Sequence, residues 1–150
     1  MRKLKPWITV LGIVLAGCGD SPMPATPTPT AIDLSGTWSG SVTVLDAPAT
    51  MTWTLAETGT AVTGPITLGP GNGTIVLNGF LTGAISGSTL TYTIAIVAGN
   101  IPSNPTCAGQ LGGAMTAAIG ATSTMNGTTA VNASSCSPPY AGGTLTLTRK

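Results

Sequence analysis

The chain has 150 residues, 42% of them hydrophobic and only 6% charged, with no histidine. That length fits one domain plus an appendage. The low charge excludes a coiled coil or a disordered polyelectrolyte, and a formal net charge of +1 excludes the basic footprint of a nucleic-acid binder.

The first element in chain order has the layout of a secretory signal. Arg2, Lys3 and Lys5 form a basic start, and residues 8–15 form an apolar run. The run is too short to span about 30 Å of hydrocarbon as a helix. Ala16, Gly17 and Cys18 follow.

The quartet Leu15-Ala16-Gly17-Cys18 resembles the lipobox of bacterial lipoproteins. The resemblance implies that residues 1–17 are a signal peptide cut before Cys18. It also implies that Cys18 carries a diacylglyceryl group and an acylated N-terminus, with palmitate among the fatty acids. Gly19 in place of Asp after the cysteine implies, by the family's sorting rule, the outer membrane. One acyl chain holds only marginally, at about 0.8 kcal/mol per buried CH₂, whereas several on one cysteine hold firmly. Cleavage would leave Arg149 and Lys150 against Asp20, Asp33, Asp46 and Glu57, a net charge of −2. With no basic residue between Cys18 and Arg149, the lipid and not a polybasic patch must do the anchoring.

Residues 18–33 then read as the lipidated cysteine and a tether. Pro22, Pro24, Pro27 and Pro29 alternate with small or polar residues, a composition that builds no core and favours extended conformations. Fifteen residues at about 3.1 Å each reach roughly 45 Å from a bilayer.

From residue 34 to residue 150 the chain reads as an all-β domain. There are 27 threonines and 21 glycines in the chain, a bias toward strands and tight turns. Apolar residues alternate with hydroxyls at 38–44, 51–55, 90–96 and 144–148. Weaker strands are predicted at 61–68, 74–80, 81–86, 109–118 and 123–131. Turn residues at 46–48, 57–59, 69–73, 86–88 and 126–127 separate them. Residues 115–119 are the one stretch with the look of a helical turn. The roughly ten-residue rhythm predicts an antiparallel up-and-down barrel of about eight strands, with a β-sandwich as the alternative. A barrel removes the sheet edges that so few charges would leave unprotected.

Cys107 and Cys136 are an even pair in a domain read as exported, and predict a disulfide. It would close about 30 residues and stabilise by roughly 3–4 kcal/mol through chain entropy. The pair has neither CxxC spacing nor companion metal ligands.

Catalytic machinery is not in view, and no catalytic residue, metal ligand or cofactor is assigned. Without histidine the Ser-His-Asp and Cys-His arrangements cannot be built, and the usual general base and commonest metal ligand are missing. Asp46 and Glu57 flank one predicted strand and so belong at its opposite ends, in solvent. The Gly69–Gly73 run lacks the lysine and helix of a phosphate loop.

Gly36-Thr37-Trp38 at the start of the first strand, with Arg149 on the last, resembles the calycin group of lipocalins, avidins and fatty-acid-binding proteins. The resemblance implies a barrel whose end is closed by Trp38 with Arg149 packed over it, a cation–π contact of about 1–2 kcal/mol if shielded. The polar biotin ligands of avidins do not align with Ser39-Gly40-Ser41, so biotin binding is not implied. Trp53, Tyr92 and Phe80 are candidates for the interior, and Trp53 with Tyr92 for the wall of a small apolar pocket. If inward positions such as Gly40 and Gly64 leave a cavity, ligand binding gains; if Leu, Ile and Trp fill the barrel, it loses.

Two functions remain in play. The first is a lipid-anchored bacterial envelope protein with a structural or protein-interaction role, binding the membrane through its lipid and no nucleic acid. The second is lipocalin-like binding of a small apolar or uncharged ligand in the barrel. An enzyme is not expected.

Overall fold

The structure is a computed structural model that describes residues 32–44, 47–70 and 76–150. Cys18, the tether up to residue 31, Asp46 and the 71–73 segment lie outside the described residues.

Eight antiparallel strands follow one another: β1 (Gly36–Val44), β2 (Ala47–Thr58), β3 (Ala61–Gly69), β4 (Leu77–Ser86), β5 (Thr89–Ile96), β6 (Gly109–Ala118), β7 (Thr124–Ser134) and β8 (Tyr140–Arg149). Each pairs with the next, and β1 pairs with β8 through Trp38–Arg149, Ser39–Thr148 and Val42–Leu145. The sheet is therefore a closed up-and-down barrel, as the hairpin rhythm predicts, and the sandwich alternative falls away.

Alternation sets the two faces. In β3 and β5 every second residue is buried, so Val62, Ile66, Leu90, Tyr92 and Ile94 point inward while Thr63, Thr91 and their neighbours point out. The interior is filled with large side chains, among them Trp38, Trp53, Met51, Leu81, Met115, Met125, Leu145 and Leu147. Outside, hydroxyl residues pair across strands, as in Thr63–Thr82–Thr93 and in Ser39–Thr52, whose hydroxyl oxygens are 3.2 Å apart. This coat keeps the surface polar without charge.

Several local expectations change. The runs 74–80 and 81–86 are not two strands: the described part, Leu77–Ser86, is one strand whose alternation is unbroken. Leu81 takes the inward position, which turns Phe80 outward, 50% exposed, between Pro65 and Ala95 on the flanking strands. Phe80 is thus not an interior residue. Asn126 and Gly127 lie inside β7 and not in a turn, and Ala47 and Pro48 belong to β2. Residues 115–118 complete β6 as strand and not helix.

Gly40 and Gly64 do not leave room inside. A Cβ on Gly40 would overlap the Thr146 carbonyl oxygen, and one on Gly64 the Thr54 carbonyl oxygen. The space of the missing side chain is filled by backbone, which lets the neighbouring strands close up where the sheet bends around the barrel.

Candidate functional site

The up-and-down order gives the barrel two distinct ends. One end gathers the entry of the chain at residue 32, the β2–β3, β4–β5 and β6–β7 connections, and the C-terminus. The other gathers the β3–β4, β5–β6 and β7–β8 connections.

The first end is closed. Trp38 is fully buried, and its indole N–H donates to the Leu34 carbonyl oxygen at 2.8 Å. The Arg149 guanidinium carbon sits 4.9 Å from the centre of the Trp38 ring. Arg149 also donates to the Asp33 carbonyl oxygen and lies 3.8 Å from the Asp33 carboxylate. Asp33 is held below its usual pKa, first by the Ser35 backbone N–H that its carboxylate accepts and only later by Arg149. Glu57 is not a solvated turn residue: its carboxylate accepts the Leu34 N–H at 2.8 Å and fixes the segment that covers Trp38. The Lys150 N–H donates to the Thr37 carbonyl oxygen at 2.9 Å. Chain entry and chain exit are thereby sewn together over the plug.

The middle holds large buried side chains. Trp53 is fully buried, and its ring meets that of Tyr92 edge to face, with centroids 4.9 Å apart. The Tyr92 hydroxyl donates to the Thr128 carbonyl oxygen at 3.0 Å, and burial raises its pKa. The Trp53 indole N–H and the Thr129 hydroxyl are buried without a hydrogen-bond partner. Trp53 and Tyr92 come together in the core as the sequence reading expects, and neither lines the barrel's cavity.

The cavity lies at the other end. It measures about 110 Å³. Leu77, Ile96, Leu111 and Val131 bring it four inward positions on β4 to β7, and Ile101 and the Cys107–Cys136 disulfide form its rim. The disulfide ties the residue just before β6 to the loop after β7, bracing the β5–β6 and β7–β8 connections against each other. Ser135 reinforces the same junction: its N–H donates to the Ala108 carbonyl oxygen at 2.9 Å and its hydroxyl accepts the Ala108 N–H at 3.0 Å. Within the β5–β6 loop, the Gly99 N–H donates to the Pro105 carbonyl oxygen at 2.7 Å, while the loop's Asn100 carbonyl accepts the Asn78 N–H at 2.8 Å. The rim is thus a hydrogen-bonded structure in its own right.

Among the described residues the two ends differ in charge. The four charged side chains among the described residues, Asp33, Glu57, Arg149 and Lys150, belong to the closed end. Among the described residues, none that lines the cavity is charged. Among the described residues no group of three His, Cys, Asp or Glu side chains could hold a metal ion.

Of the cavity residues only the cysteine pair carries a signal in the sequence. Leu77, Ile96, Ile101, Leu111 and Val131 read as ordinary strand or loop residues. Their convergence depends on the register of four strands. Comparison of the chain with known protein families, curated proteins and solved structures returns no match.

Proposed function

We propose that this chain is a lipid-anchored protein of the bacterial cell envelope, and that it presents a closed, nearly uncharged barrel to other envelope components. Cys18 would carry the acyl chains, palmitate among them, and residues 19–33 would serve as the leash, with the outer membrane as the site. The observation that carries this reading is the Leu-Ala-Gly-Cys quartet followed by a proline-rich tether that leads into one end of the barrel. The described chain enters the barrel beside the Trp38 plug, at the end opposite the disulfide. The Trp38–Arg149 packing supports a calycin-like barrel as the architecture. Replacing Cys18 with Ala should release the protein from the membrane fraction; retention there would overturn the anchor.

A second reading, binding of a small apolar or uncharged ligand, is favoured by one specific observation. The cavity at the braced end is apolar and its rim is fixed by covalent and hydrogen bonds. The large buried side chains around Trp53 and Tyr92 favour the mouth of the barrel over its middle for that reading.

A further inference from the structure

Building on the ligand-binding reading, we infer that the mouth cavity selects a neutral molecule: a small apolar body the size of a single ring, bearing one uncharged hydrogen-bonding group. Size argues first. A volume of about 110 Å³ is below that of sites for drug-sized ligands, about 300–1,000 Å³, and close to that of apolar cavities that take up benzene, about 150 Å³. The walls argue second. Leu77, Ile96, Leu111 and Val131 offer only hydrocarbon, so what enters must bring apolar surface to bury.

The polar groups argue third. Gln110, Ser134 and Ser137 are the polar residues of the lining, Gln110 from an exposed strand position beside the inward Leu111. Ser134 already serves its own turn, its hydroxyl oxygen accepting the Cys136 N–H at 3.1 Å and the Ser137 N–H at 3.2 Å. Gln110 and Ser137 are the other lining residues with uncharged polar side chains. Both can donate and accept, so they suit an alcohol, ester or amide. Neither can neutralise a charge, and a carboxylate or ammonium drawn into this apolar recess would lose hydration without gaining a counter-ion among the described residues. The described charges sit at the far end of the barrel, where the Trp38 plug uses them.

Benzyl alcohol, benzoate and benzylammonium share a ring and differ in the charge of the head. Each is titrated into the chain from Gly19 to Lys150, whose barrel closes on its own strands, while the methyl resonances of Ile96, Leu111 and Val131 are followed. The alcohol should shift these methyls saturably and bind at least about tenfold more tightly than either ion. Val131→Phe and, separately, Ala108→Leu fill the recess from different sides, and each should weaken the alcohol at least tenfold while the melting temperature stays near that of the parent. Binding of an ion as tight as that of the alcohol would overturn the neutral head and leave the ligand-binding reading standing. Alcohol binding unchanged in both folded variants would overturn the location. No saturable shift with any of the three would overturn both.

Discussion

Tyr92 carries the most readable single-residue energetics in the barrel. Its ring packs against Trp53, and its hydroxyl reaches the Thr128 carbonyl oxygen at 3.0 Å. Tyr92→Phe keeps the ring and removes that bond, so it should cost about 1 kcal/mol in a urea unfolding experiment at neutral pH. The cost should change with pH in a defined direction. Burial raises the Tyr92 pKa, so once the pH passes the ordinary phenol range the unfolded chain gives up its proton before the folded one does. The parent then loses stability with rising pH, a loss that begins near pH 10 and that the Phe variant lacks. The gap between the two proteins should therefore narrow above pH 10, a trend that paired unfolding curves would reveal. At this scale the sequence is uneven as a guide. Trp38 and Arg149 can be matched because they open and close the barrel, and closure makes them neighbours. Glu57 cannot be read the same way, since the group it serves, the Leu34 N–H, lies 23 residues earlier.

Strands depend on parity, and parity explains which elements could be read. Where threonine alternates with large apolar residues, as in β5 and the described part of β8, the faces follow from the sequence. Where small residues fill both faces, as in β6 and β7, Asn126-Gly127 resembles a turn although it continues a strand. Gly127 is there because a Cβ would overlap the Ala114 carbonyl oxygen on β6. Gly64 has the same constraint toward Thr54 on β2. No side-chain rotation relieves an overlap with backbone, so Gly64→Ala should force β2 and β3 apart and cost about 1–3 kcal/mol or more. Gly120, where a Cβ would meet nothing within 4 Å, is the control, and Gly120→Ala should stay within about 0.5 kcal/mol. Thermal unfolding of the two variants beside the parent separates a bend that needs glycine from a surface that merely tolerates it.

The whole molecule closes its two ends by different chemistry. At the chain-entry end, Leu34, Trp38 and Arg149 form a non-covalent plug that brings residues from both termini together. Such closure follows from hairpins laid side by side only if the last strand meets the first, which is why the same rhythm also fits a sandwich. At the other end the interior opens into a cavity, and the Cys107–Cys136 bond holds together the loops around it. The bridge spans 29 residues of separation and encloses all of β6 and all of β7. In an unfolded chain it forbids many conformations, so replacing both cysteines with Ala should cost roughly 3–4 kcal/mol of global stability by that entropy. The loss should not fall evenly in space. The plug contains no sulfur and keeps its hydrogen bonds, whereas the rim loses the one covalent link between the β5–β6 and β7–β8 loops. Hydrogen exchange on the double variant should therefore show early loss of protection at the Cys107 and Ser135 amides, with the Trp38 indole N–H and the Lys150 amide exchanging only with global unfolding. Equal loss at both ends would mean that the bridge supports the barrel as a whole and that the mouth owes it no special rigidity.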